Sequence, residues 1–263
     1  MNLIGQVALI TGAGGPDGIG YATARALAAD GADVVLCATS ERVHDRAAEI
    51  TNLGGNAIGV VADLMEADAA LRITRIALAI DDRIDILVNN AGMIAVAGAT
   101  IGQTATDSAL HATTDEEWDD GIHRNLTTCF TVTRAVVAHM RERGYGRVVN
   151  VASTSGAVQA YVGDVAYHAA KAGMVGFTRA VALESAAHGI TVNAVAPGWI
   201  ATGSQLPGEV LAGELSPMKR SGTAAEVAAA IRFLVDPAAS YVTGQLLVVD
   251  GGNSLPEDRA WTP

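Results

Sequence analysis

The feature that most restricts this chain is a short apolar run, Val7–Thr11, cut off by Gly12-Ala-Gly-Gly-Pro-Asp-Gly18-Ile-Gly20 and followed by helical spacing over residues 21–29. Glycine lets a backbone turn tightly and approach a ligand, and the N-terminus of the ensuing helix offers unpaired N–H groups and a positive dipole end. Strand, glycine turn and helix in that order make a phosphate-binding arrangement, although a glycine turn taken alone reads equally as a tight connection. The pattern then repeats. Strand-like runs recur at 32–38, 57–62, 84–88, 146–151, 192–196 and 246–250, and helical spacing at 42–53, 116–140, 165–187 and 224–234.

Strands alternating with helices predict an α/β fold: one doubly wound, Rossmann-type domain over residues 1–263, with a seven-stranded parallel sheet and helices on both faces. Ligands of such sheets bind at the carboxyl ends of the strands. Half of the residues are apolar and 17% are charged, enough to build a large core. The net charge of −11 disfavours nucleic acid and anionic membrane as partners. No signal peptide and no run long enough for a membrane span is read, and Cys37 and Cys129 match no metal-ligand spacing. A cytoplasmic protein with buried thiols, no metal and a small-molecule substrate is expected.

Polar residues gather where the strands end: Gly12 onward, Thr39-Ser40, Asp63-Leu64 and Asn89-Asn90-Ala91-Gly92. Farther on, Tyr167 and Lys171 stand four apart in an Ala-rich helical stretch, which puts phenol and ammonium on one face. A cation beside a phenol favours phenolate and lowers its pKa toward neutrality, the condition for general acid–base work on an alcohol or ketone. Such a pair alone is common on exposed helices. Asn125 interrupts the stretch 116–140, where an Asn competes for backbone hydrogen bonds and so asks for a reason. Ser153 lies just past a strand and 14 residues before Tyr167, with Thr154 and Ser155 as neighbouring alternatives. His168 points about 100° away from Tyr167 around the helix and reads as structural, so no acyl-enzyme triad is expected.

Taken in order, Thr11-Gly12, Gly18-Ile19-Gly20, Asp63, Asn89-Asn90-Ala91-Gly92, Asn125, Ser153, Tyr167, Lys171 and Pro197-Gly198 resemble the short-chain dehydrogenase/reductase family, in its 3-oxoacyl-reductase-like branch, over almost the whole chain. The resemblance implies an NAD(P)-dependent oxidoreductase that interconverts a secondary alcohol and a ketone by hydride transfer. It implies a catalytic set of Asn125, Ser153, Tyr167 and Lys171. Tyr167 would be the general acid and base, Ser153 would hold the substrate oxygen, Lys171 would lower the Tyr pKa and bind the nicotinamide ribose, and Asn125 would bind a water that relays protons. By the same resemblance Gly12, Gly18 and Ile19 would hold the pyrophosphate, Asp63 and Leu64 the adenine, and Asn90 the ribose region. Pro197 and Gly198 would pack on the nicotinamide, and Ile200 and Thr202 would bind its carboxamide. For Asn89 and Asn90 a turn cap is the alternative.

Three departures matter. Gly12 and Gly18 are separated by five residues where the family pattern has three, so the loop should bulge at Gly15, Pro16 and Asp17, with no basic side chain in it. The segment 93–115 is about ten residues longer than expected and is either substrate-shaping or an oligomer contact. Ala38 stands where an acid would select NAD, so Thr39, Ser40 and Arg42 are expected at the 2′-phosphate of NADP, with NAD the alternative and Glu41 nearby in its favour.

Residues 203–222 read as a lid over the substrate, with Leu206, Val210 and Leu211 as its apolar underside. A free, neutral alcohol or ketone is expected ahead of a carrier-bound 3-oxoacyl group, because positions usually basic in carrier-dependent relatives are Gly144 and His188 here. Arg141, Arg143 and Arg179 remain near them. A cofactor-binding regulator and an epimerase or dehydratase are the readings from other classes. Ala169, Ala172, Gly173 and Gly176 suit close helix approach, and the resemblance implies a homotetramer. Trp261, in the tail, would pack on a neighbour or fray.

Overall fold

The computed structural model describes residues 1–92 and 109–257. In chain order it places β1 (Val7–Thr11), α1 (Ile19–Ala29), β2 (Asp33–Ala38), α2 (Arg42–Asn52), β3 (Ala57–Val61), α3 (Ala69–Asp81) and β4 (Ile86–Asn89). Then come α4 (Asp115–Ile122), a π-helical turn (His123–Thr127), α5 (Thr128–Arg143), β5 (Gly146–Val151), the short α6 (Thr154–Ala157) and α7 (Val165–Ser185). The last part holds β6 (Ile190–Pro197), β7 (Ile200–Ala201), α8 (Pro207–Glu214), β8 (Gly222–Thr223), α9 (Ala224–Val235) and β9 (Leu246–Val249). The expected elements are present with ends moved by a few residues. Helix α3 was not read from the sequence; its buried face, Ala69, Ala70, Ile73, Thr74 and Ala77, is mostly small residues and gives a weak apolar signal.

Seven strands form one parallel sheet in the order β3-β2-β1-β4-β5-β6-β9. The chain winds outward from β1 to β3 and then restarts on the other side of β1 with β4, which makes the β1/β4 gap the switch point where such sheets bind ligands. Alternate strand residues feed opposite faces. Ala8 and Ile10, Val34 and Leu36, and Ile86 and Val88 pack under α1, α2 and α9, while Leu9, Val35 and Leu87 pack under α3 and α5. Burial on both sides is why these strands read as unbroken apolar runs.

No helix among the described residues is long and apolar enough to cross a membrane. Burial pushes the thiols of Cys37 and Cys129 up to about 12, so both are inert. Of the long segment 93–115, residues 93–108 lie outside the described ones, as does Trp261. Residues 109–114 lead to a capping box in which Thr114 and Glu117 satisfy each other's backbone N–H groups.

Candidate active site

A cleft of about 470 Å³ runs along the carboxyl ends of the strands. One wall is Gly12, Gly18, Ile19 and Asn90; Ser153, Tyr167 and Lys171 form the floor; Pro197, Gly198, Ile200, Thr202 and Glu209 stand opposite. The first wall is built by close backbone approach. Gly12 has φ +68°, and a Cβ there would lie 2.8 Å from the Ala91 Cα; at Gly20 a Cβ would lie 2.6 Å from the Asn90 amide nitrogen. Gly18 caps α1 in extended conformation with no side-chain cap, so the first N–H groups of the helix are left for an anion. This cradle fits a dinucleotide pyrophosphate. The extra loop residues Pro16 and Asp17 are exposed, as the predicted bulge requires, and Gly18 N–H closes it on the Gly15 carbonyl at 3.2 Å.

The Asn90 amide donates to the carbonyls of Thr11 (3.1 Å) and Gly12 (2.9 Å), and Thr11 Oγ1 accepts the N–H groups of Asn90 and Ala91. Its side chain therefore serves the turn-cap alternative and orders the glycine loop from below. Beside it, Asn89 Nδ2 donates to Thr133 Oγ1 and Asn150 Oδ1, both at 2.8 Å, and Asn150 Nδ2 donates to Thr178 Oγ1 at 2.9 Å. This buried network ties β4, β5, α5 and α7 together under the floor. Asn150 was not singled out in the sequence, though a polar residue inside Val-Val-Asn-Val is its signal.

Ser153 stands beside Tyr167 in the cleft, and its Oγ accepts the Ser155 N–H at 3.1 Å. Lys171 is buried, donates to the Val151 carbonyl at 2.9 Å and has its Nζ 5.5 Å from the Tyr167 ring centre. The cation thus lies beside the ring and is aimed at a carbonyl. The expected lowering of the phenol does not arise from the protein's own groups. Burial pushes Tyr167 up to about 12, Ser153 opposes this, and the carboxylates of Glu209 and Asp164 add to it. Burial also brings Lys171 down to about 8.

Asn125 is buried in the π-helical turn, which is the interruption its sequence position announced, and its Nδ2 donates to the Gly121 carbonyl at 3.1 Å. A Cβ on Gly92 would lie 2.7 Å from Asn125 Oδ1 and 3.3 Å from Lys171 Nζ, so Gly92 keeps open the space these two share. His168 is structural: Nε2 accepts the Tyr161 N–H at 3.2 Å and Nδ1 meets the Asp164 carbonyl at 2.9 Å. With the Tyr161 hydroxyl on Asp164 at 3.1 Å, this pins Tyr161 on the cleft wall.

The segment 203–222, read as a lid from the sequence, leaves and rejoins the fold through β7 and β8, which pair in parallel at its base. Leu206 lines the cleft as expected, but Val210 and Leu211 do not form the underside; they are 42% and 56% exposed. Glu209 takes that position. Its Oε2 accepts the Leu206 N–H at 2.8 Å, which fixes the rotation of α8 and turns the next two residues outward.

Thr39, Ser40, Arg42, Asp63 and Leu64 lie outside this cleft, at the ends of β2 and β3. Arg42 Nε donates to Ser40 Oγ at 3.3 Å, and Ser40 stands 3.9 Å from where a Gly14 Cβ would be. Glu41 pairs with His44 at 3.3 Å along α2. Asp63 is exposed and accepts the Met65 N–H at 2.9 Å, while the Leu64 side chain is in the core, leaving only its backbone for an adenine.

A family model described as Enoyl-(Acyl carrier protein) reductase matches residues 12–254. The 3-oxoacyl-(acyl-carrier-protein) reductase of Synechocystis sp. is 44% identical over 255 residues, 95% of this chain and 97% of that protein. Its counterpart in Vibrio harveyi is 39% identical over 260 residues, covering 96% and 98%. Among solved structures, levodione reductase superposes with a TM-score of 0.86 at 32% identity, covering 96% of this chain and 99% of that one. With a parallel seven-stranded sheet, a glycine cradle at its switch point and Tyr167, Ser153 and Lys171 converging in one cleft, the chain belongs to the short-chain dehydrogenase/reductase family of oxidoreductases.

Proposed function

We propose that this chain is an NADP(H)-preferring ketoreductase and alcohol dehydrogenase acting on a free small ketone or secondary alcohol, with Tyr167 as general acid and base. The observation that carries the reading is Tyr167 beside Ser153 and Lys171 in a cleft that begins at an anion-suited glycine loop. Residues 1–263 act in it as one dinucleotide-binding unit. Gly12, Gly18 and Ile19 would hold the pyrophosphate, Asp63 and the Leu64 backbone the adenine, and Asn90 the ribose side. Tyr167 and Lys171 would hold the nicotinamide ribose, and Pro197, Gly198, Ile200 and Thr202 the nicotinamide and its carboxamide. The bound dinucleotide supplies or accepts the hydride. Tyr167 gives its proton to the carbonyl oxygen in reduction and takes the alcohol proton in oxidation. Ser153 fixes that oxygen, and Lys171 with Asn125 restores the proton.

The NADP preference rests on three contacts. The Ala38 side chain faces the glycine loop, 2.8 Å from where a Gly14 Cβ would be, and offers no carboxylate to a 2′-hydroxyl. Arg42 and Ser40 are already paired, and Glu41 is held by His44. Fluorescence titration with NADPH and NADH at fixed salt tests it: NADPH should bind more than about tenfold tighter. Tighter NADH binding would overturn the preference.

A second reading, reduction of 3-oxoacyl groups on a carrier protein, is favoured by the names of the curated relatives. Against it, Gly144 ends α5 in the left-handed conformation with no side chain to offer, and Arg141 is engaged with His188 at 2.9 Å. Saturable binding of an acyl carrier protein would reverse the ranking. A homotetramer in the cytoplasm completes the proposal, supported by exposed Ala172 and Gly176 on α7 and by half-exposed Phe130 packed edge-on against Phe177. Mass measurement in solution tests the assembly.

A further inference from the structure

Among the described residues one acidic side chain lines the cleft. Glu209, at the third position of α8, lines the cleft with Tyr161, Ser155, Trp199, Leu206 and Tyr167. One carboxylate oxygen accepts the Leu206 N–H at 2.8 Å; among the described residues the other makes no hydrogen bond and no salt bridge. The carboxyl is partly buried, which raises its pKa, and its charge is felt by both Tyr161 and Tyr167. Among the described residues no lysine or arginine other than Lys171 lines the cleft, and Lys171 donates to the Val151 carbonyl on the floor. A carboxylate held by its own helix start, with no cationic partner among the described residues and lining the same cleft as the reacting phenol, is a ready acceptor for a donor group on the substrate.

We propose that Glu209 sets substrate specificity: it accepts a hydrogen bond from an ammonium or hydroxyl group near the reacting carbon and repels a carboxylate there. This rests on the ketoreductase reading and narrows its substrate class to amino- or hydroxy-substituted secondary alcohols and the corresponding ketones. Three probes of matched size separate the charge cases: isopropanolamine carries a cation beside the secondary alcohol, propylene glycol a neutral hydroxyl and lactate an anion. A unit charge at a partly buried carboxylate is worth on the order of ten- to hundredfold in affinity.

The test is initial-rate oxidation of the three probes with NADP, together with calorimetric binding of isopropanolamine and lactate to the protein loaded with the dinucleotide. The wild-type chain should prefer isopropanolamine to propylene glycol and both to lactate. In Glu209→Gln, whose amide oxygen still accepts the Leu206 N–H, the isopropanolamine-to-lactate ratio in kcat/KM and in affinity should fall at least about tenfold. The KM for isopropanolamine should rise while that for lactate falls. Opposite changes for opposite charges cannot come from a loosened lid. Equal losses for both probes, or an unchanged ratio, would overturn the proposal, and Glu209→Lys, which should invert the order, guards against a silent Gln. If no probe is turned over, the ketoreductase reading is in question, while the binding ratio still decides the role of Glu209.

Discussion

The two ends of the cleft are built differently. At the dinucleotide end the chain is held by backbone approach: glycines at 12 and 20 leave room measured in tenths of an ångström, and Asn90 ties two carbonyls in place. At the substrate end the lid is held by a two-residue strand pair and by side chains, with Glu209 on the Leu206 N–H and Gln205 on Ser221 at 2.8 Å. Close packing of backbone tolerates almost no change, whereas a side-chain contact can be exchanged without moving its neighbours. The difference separates what such an enzyme must keep from what it can vary. On the proposed reading the dinucleotide is held at the first end and the substrate at the second.

Tyr167 stands where the two ends meet, and its loss should have the largest effect. Tyr167→Phe should fold, still bind NADPH and lose about 10³-fold in kcat. Retention of most activity across a panel of ketones would remove Tyr167 from its role. Next, Gly20→Val should place methyl groups against Asn90 and the Gly12 carbonyl, abolish dinucleotide binding and lower the melting temperature by roughly 3–10 °C; an unchanged melting curve would show the loop to be looser than the contacts imply.

Arg42→Ala touches the dinucleotide end at its rim. The ratio of NADPH to NADH affinity should fall roughly tenfold, read by the same fluorescence titration.

The substrate end should show itself in pH profiles of alcohol oxidation, which needs the phenolate. Ser153 lowers the Tyr167 pKa and Glu209 raises it, so Ser153→Ala should move the acid limb, along which activity rises with pH, to higher pH and Glu209→Gln to lower pH. Shifts in the same direction would refute the assignment of both. The smallest effect concerns stability. Lys171 is brought to about 8 from an ordinary 10.5, so between those values the unfolded chain holds more protons and stability rises with pH. Above that, Tyr167, raised from 10 to about 12, reverses the sign, because the unfolded chain loses its proton first. Lys171→Met should lack the rise between about pH 8 and 10, as followed by thermal melts.

Much of this was written in the sequence, because local rules carry it. Unbroken apolar runs marked strands buried on both faces, the glycine turn marked the cradle, and the misplaced helical Asn125 marked the π-helical turn. Tyr167, Ser153 and Lys171 could be named from spacing and resemblance alone. Helix α3 escaped because its buried face is alanine-rich, and Asn150 escaped because its partners, Asn89 and Thr178, come from other elements.

Only the tertiary structure decided the charges and the lid. The i, i+4 rule put Lys171 beside Tyr167, but it could not show that the ammonium donates to the Val151 carbonyl or that burial raises the phenol. Nor could helical spacing tell which side of α8 faces the cleft. That rotation is set by the Glu209 contact with the Leu206 N–H, which turns Val210 and Leu211 to solvent and leaves a carboxylate in the cleft lining. Sequence periodicity fixes which residues share a face; only packing against the rest of the chain fixes where that face points.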